Sequence, residues 1–247
     1  MQPKFLPGLL MAVLSIACLL VLLRIIRSGL RRSQLSRDQQ RRFFRIAVLL
    51  TAGWFLLVSV LSYSGLTNNF KSLPPRPLLL VFGALMATSL LSWTRPFRQL
   101  LRSVPLHWFI LFQSFRIGVE VILWLLHERQ LLPVQMSWEG YNFDVLSGLL
   151  ALPAAWLIQR YPEQRRTIAL VYNVTGLVLL INILVISVLS MPLPIRYFHN
   201  EPANTIVAAF PFFYLPSVLV VLAATLHIWS LRQLALERKT AGHLAGA

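Results

Sequence analysis

Runs of about twenty apolar residues, separated by short clusters of arginine, proline and glutamine, recur along the chain, and a helix of that length crosses roughly 30 Å of hydrocarbon. The pattern predicts seven such helices, near residues 5–26, 44–66, 77–93, 106–126, 144–159, 167–189 and 208–231. The third and fifth runs are short. The expected architecture is an all-α, seven-helix transmembrane bundle that forms one domain over residues 1–247. The first run passes through Ser15-Ile16-Ala17-Cys18, which imitates a lipoprotein signal, but it stays apolar as far as Leu23 and so reads as a span.

Polar positions between the runs carry an orientation. With the N-terminus outside and the C-terminus inside, seventeen of the 23 Lys and Arg residues fall on inner segments, within 24–45, 95–102, 160–166 and 232–239. Lys4, Lys71, Arg76, Arg129 and Arg196 fall outside, and Arg116 alone lies within a span. The bias repeats at every inner segment, as positive-inside sorting requires for a multi-pass protein of a bacterial-type cytoplasmic membrane. Trp93, Trp108 and Trp229 fall at inner helix ends and Trp124 and Trp138 near the outer boundary, where indole rings anchor, while Trp54 and Trp156 lie deeper.

Composition sharpens this picture. Of 247 residues, 57% are hydrophobic and 13% charged, with a mean hydropathy of +0.67; a soluble domain carries about 25% charge. A formal net charge of +15 would suggest a nucleic-acid partner in a soluble protein. Here the basic segment 27–43, read as a cytoplasmic loop, is explained by topology and by anionic lipid headgroups along 27–45. No aromatic or glycine pattern accompanies it, so no nucleic-acid partner is expected. A single cysteine excludes an internal disulfide and a thiolate metal cluster.

The most informative segment is the fourth run. At about 100° per residue, Gln113, Arg116, Glu120 and His127 share an arc of about 60°. A charge near mid-membrane costs about 2.5–3.5 kcal/mol on insertion scales, so this face must look into the bundle. Arg116 and Glu120 stand at i,i+4 and can form a local ion pair. On the sixth run Tyr172, Thr175 and Asn182 form a second polar arc, with Asn173 pointing away. Asn173-Val174-Thr175 matches a glycosylation sequon inside a span and reads as chance. In the outer loop, Asp144 suits the N-cap of the fifth helix. Glu139, Tyr141, Asn142, Asp144 and His199 are further outer-side candidates. None of the outer acids and histidines has ligand spacing, so neither a metal nor a cofactor is expected. Segment 191–216, with five prolines around an apolar island at 205–210, is expected to be the kinked start of helix seven, the alternative being a short re-entrant piece.

Several activities are absent from the motifs. There is no G-x-S-x-G elbow, no phosphate-cradling G-x-x-x-x-G-K and no helical histidine pair, and His227 stands alone on the seventh run. No lysine lies within a span to form a retinal Schiff base. Internal repeats of the transporter kind are not evident. Phe112-Gln113-Ser114-Phe115-Arg116, Val119-Glu120 and Glu139-Gly140-Tyr141-Asn142-Phe143-Asp144 resemble a pattern in uncharacterised bacterial seven-helix integral membrane proteins. The resemblance covers residues 112–148, implies no activity, and ties the fourth helix and the loop before the fifth into one site. The expected function is binding or transport of a small polar or amphiphilic ligand in a pocket on Gln113, Arg116, Glu120 and His127, with Tyr172, Thr175 and Asn182 opposite. The alternatives are an intramembrane enzyme using outer-side His, Asp and Glu, and a structural or assembly subunit whose polar stripe only clasps helices.

Overall fold

The long apolar runs fold as helices throughout the computed structural model, which describes residues 4–70 and 75–245, with side chains described as far as residue 238. Lys71 and the side chain of Lys239, both used in the orientation argument, lie outside the described residues. Helix α1 spans Phe5–Arg32 and α2 Arg37–Tyr63. The segment expected as a basic loop is mostly helical, because arginine is a good helix former and Ser36 begins α2 with a capping box: its hydroxyl accepts from Gln39 N–H at 3.3 Å, and the Gln39 side chain accepts from Ser36 N–H at 3.1 Å. Only residues 33–36 connect the two helices.

Helix α3, Arg76–Leu91, turns by 83° into α4, Arg95–Ser103. Pro96 at the start of α4 fits a fresh N-terminus and cannot continue α3. Helices α5, Leu106–Phe112, and α6, Phe115–Glu128, form a nearly continuous 23-residue apolar rod. Helix α7 covers Val145–Arg160, α8 covers Arg165–Leu189, and α9 covers Val221–Ala245 after a π-helical turn at Leu215–Val220. Five helical rods are long and apolar enough to cross a membrane, six if the bent α3–α4 pair counts as one, and α7 is a shorter apolar helix. No strand occurs among the described residues.

The helix ending in α9 is the centre of the fold: 72% of its most apolar window is buried, against 6% for α2. It packs on α3, α4, α5 and α8, while α1 joins α2, α4 and α6, and α7 sits between α5, α6 and α8. Small residues set the closest approaches. A Cβ on Gly148 of α7 would lie 2.7 Å from Ile117 Cγ1 and 2.9 Å from the Ile117 amide nitrogen of α6. One on Gly176 of α8 would lie 2.5 Å from the His227 ring of α9.

The seventh run departs from expectation, since helix starts at Leu215 and not near residue 208. Prolines 192, 194, 202, 211 and 216 remove donors, and an irregular backbone results. Protein covers it. Ile206, Val207, Ala208, Phe212 and Phe213 are buried, and side chains and local turns take up the freed carbonyls: Thr67 donates to Ala208 O at 2.6 Å, Asn204 to Ser187 O at 3.1 Å, and the Trp54 indole to Ser217 O at 2.9 Å in the π turn. Trp229 is likewise a packing residue and not an interfacial anchor, buried with its ring centroid 4.7 Å from that of Phe97 and 6.1 Å from that of Phe109.

Candidate functional site

Between α5 and α6 the backbone tightens. Amides of Gln113, Ser114, Arg116 and Ile117 bond three residues back instead of four, which turns the chain faster per residue and re-aims the polar side chains after it. Arg116 emerges as the largest fully buried side chain, 1% exposed. Its carboxylate partner is not Glu120 but Asp144, the residue preceding α7. Arg116 Nε donates to Asp144 Oδ2 at 2.7 Å and Nη2 donates to Oδ1, a fork-to-fork pair. Asp144 forms no side-chain cap on α7, because two charged donors outcompete one backbone amide. Gly176 O accepts from Nη1 and Nη2 at 3.5 and 3.4 Å.

The remaining partner of Arg116 is His227, whose Nε2 lies 3.1 Å from Nη1. A guanidinium only donates, so His227 Nε2 accepts and its proton resides on Nδ1. From Nδ1 it donates to Asn173 Oδ1 at 2.8 Å, and Asn173 Nδ2 donates to Ser230 Oγ at 2.8 Å and Ala169 O at 2.7 Å. In the other direction, Asp144 N–H donates to Asn142 Oδ1 at 3.0 Å. Asn142 Nδ2 in turn donates to both oxygens of Glu120, at 2.8 and 2.7 Å, and to Met136 O at 3.0 Å. One hydrogen-bonded chain therefore runs Glu120–Asn142–Asp144–Arg116–His227–Asn173–Ser230, linking α6, the loop before α7, α8 and α9. Each member is 5% exposed or less. Asp144 cancels the charge of Arg116. No ion pair cancels that of Glu120 among the described residues.

Expected residues divide clearly. Gln113, Arg116, Glu120 and Tyr172 are buried, Gln113 donating to Ala223 O at 3.0 Å and Tyr172 to Ser147 O at 3.0 Å beside the His227 ring. His127 belongs elsewhere: its Nδ1 is 3.2 Å from Leu132 O and its Nε2 3.8 Å from Glu139. Glu139 also accepts from the Trp124 indole at 2.9 Å. Asn182 donates to Tyr141 O at 2.8 Å and pins the loop before α7, while the Tyr141 side chain and His199 are exposed. Thr175 is exposed, and it is Asn173 that faces the site. The buried stripe of α8 is Ala169, Tyr172, Asn173, Gly176, Leu180, Ile183 and Ile186, with small residues at Ala169 and Gly176, the latter at the close contact with His227 of α9. His227 and Ser230, at i,i+3 on α9, were the matching signal. Among the described residues no three His, Cys, Asp or Glu side chains gather as a metal site.

Outside the helices, Arg196 fixes the loop after α8 by donating to Phe198 O at 2.8 Å, Asn200 O at 2.9 Å and Glu201 at 3.0 Å. The hydrogen bond from Arg196, then that from Ala203 N–H, holds the Glu201 carboxyl below the ordinary 4.5.

Fold and site together define an all-helical protein whose long apolar helices close around a charged, hydrogen-bonded cluster. The chain belongs to the family of a domain of unknown function, DUF8737, whose model matches residues 75–235 and so contains every member of the buried chain. Comparison with curated proteins and with solved structures finds no match.

Proposed function

We propose that the chain is a seven-span membrane protein, N-terminus outside and C-terminus inside, that moves a small polar or amphiphilic solute with Glu120 as its proton-exchanging group. The observation that carries this is Glu120 itself: a buried carboxyl that accepts from the Asn142 amide and has no ion-pair partner among the described residues, at one end of a seven-residue polar chain. Ionisable groups inside a span are costly and mark solute paths and proton relays. Carrying a proton removes the one charge in the cluster that no neighbour cancels.

Arg116 has a different part from the one expected. Its acceptors are all protein groups, so in this state Asp144 occupies the place that an anionic solute would take on the guanidinium. Exchange of Asp144 for a solute carboxylate or phosphate conserves the bidentate pairing. The loop bearing Asn142 and Asp144 then links solute entry to Glu120, because both residues sit two apart on it. The competing reading is a helix clasp, and the saturation of Arg116 favours it. Infrared difference spectra of the purified protein across pH separate the two. Proton exchange gives a carboxyl band that comes and goes with pH in the wild type and is missing in Glu120→Gln. A clasp gives spectra in which Glu120→Gln and wild type show the same bands.

A further inference from the structure

A second polar cluster lies at the other end of α3. Arg232 of α9 donates from Nε to Ser92 O at 3.0 Å and lays its guanidinium 3.6 Å above the centroid of the Trp93 ring. Those contacts fix the group by one edge and one face. Arg98 follows Phe97, which packs on Trp229 three residues before Arg232, so both arginines stand where α4 meets α9. Neither arginine forms an ion pair among the described residues. Two arginines at one helix junction without acidic partners favour an anion there, and a planar fork suits a phosphate.

The surroundings select the kind of phosphate. Helix α4 runs at 83° to α3, which lays it along the membrane plane if α3 crosses it. It is pinned by Phe97 against Trp229 and by its buried Leu100 and Leu101. From Trp93, which is 67% exposed, an apolar stripe climbs α3 through Leu90, Met86, Phe82 and Leu79, all exposed. These positions are spaced three or four apart and so form one helix face. The stripe leads straight away from the arginine pair, as an acyl chain does from its headgroup.

We infer that Arg98, Arg232 and Trp93 form a binding site for the phosphate of an anionic phospholipid, whose acyl chain lies along the Leu79–Leu90 face of α3. This rests on the membrane placement proposed above but not on the role of Glu120, so the two stand or fall in separate experiments. Delipidated full-length protein is titrated with phosphatidylglycerol, phosphatidylcholine or inorganic phosphate, and bound lipid is read by native mass spectrometry. Wild type binds phosphatidylglycerol in preference to phosphatidylcholine. Arg98→Gln/Arg232→Gln loses about 30-fold in phosphatidylglycerol affinity, at roughly fivefold per basic residue. Arg160→Gln, which removes an exposed basic residue at the end of α7, leaves the affinity within about twofold, less than half the effect of one site arginine. Trp93→Leu keeps both charges and weakens binding by a smaller factor, which tests the site even if the double variant fails to fold. Unchanged affinity in the double variant or in Trp93→Leu, or equal affinity of wild type for the two lipids, overturns the site. Displacement of phosphatidylglycerol by millimolar inorganic phosphate assigns it to a soluble phosphate and overturns the lipid.

Discussion

At the scale of single residues, the chemistry turns on which charges have partners. Asp144→Asn leaves the Arg116 guanidinium buried with its acceptors reduced, and breaking a buried pair from one side costs about 3–5 kcal/mol. Denaturant unfolding in detergent is expected to show that loss. Arg116→Met/Asp144→Leu, which removes both charges, is expected to be the milder change, and a double variant as unstable as the single one would contradict the pairing. Glu201 behaves oppositely to a buried group because it is exposed. Its carboxyl is held below 4.5, so its contribution to the loop is present above the ordinary glutamate value and is lost as pH falls through the lowered folded value. Hydrogen exchange at Ala203 N–H, corrected for intrinsic pH dependence, is expected to lose protection over that acid range in wild type and not in Glu201→Gln. The residues that could be read from sequence were those whose cost announces them: an arginine and a glutamate inside an apolar run need a reason. Their partners were less legible. Asp144 has a sufficient local explanation as a cap, and Asn173 falls outside an arc centred on Thr175 although it lies on the packed face that Ala169 and Gly176 define.

Elements decide how those residues meet. The tightened turn at Gln113–Arg116 breaks a constant rotation of about 100° per residue only across the α5–α6 junction. His127 shares the face of Glu120 but lies two turns, about 10 Å, farther along α6, at the end where Glu139 approaches it. Close helix contact does the rest. Gly148→Ala pushes a methyl into the Ile117 backbone, which cannot yield as a side-chain tip can. A loss of about 1–3 kcal/mol is expected, the usual cost of overpacking, read as a lower unfolding midpoint. Gly53→Ala, on a face of α2 with nothing within 4 Å, is expected to leave the midpoint unchanged or raise it. Equal effects at the two positions would contradict the packing of α6 on α7. Ser36 and Pro96 carry the signals of a helix start, a capping box and a proline in the first turn, but the arginines around them read as loop, so the early start of α2 and the whole of α4 were not legible. Nor was the start of the last helix, because hydropathy alone cannot distinguish a buried irregular segment from a helical one: Ile206–Ala208 is as apolar as any span.

For the whole molecule, the proposed orientation sets the sorted arginines at one end of the bundle and the loop bearing Asn142 and Asp144 at the other. Cys18 is buried, so Cys18→Ser gives a background free of cysteine. On that background, single cysteines placed by Gln34→Cys and Tyr197→Cys report the two faces. In intact cells an impermeant maleimide is expected to label position 197 and to reach position 34 only after permeabilisation; the reverse pattern would invert the orientation. The seven-run count rests on α3 and α7, each 16 residues long, which hydropathy marks as apolar without fixing how deeply they insert. The central claim concerns Glu120, and it is tested most directly by the decay of an imposed pH gradient across proteoliposomes containing the purified protein. Faster decay than in protein-free vesicles, abolished by Glu120→Gln and retained in the exposed-site variant Glu128→Gln, is the predicted result. Decay in Glu120→Gln as fast as in wild type, or in wild type no faster than in empty vesicles, would contradict it.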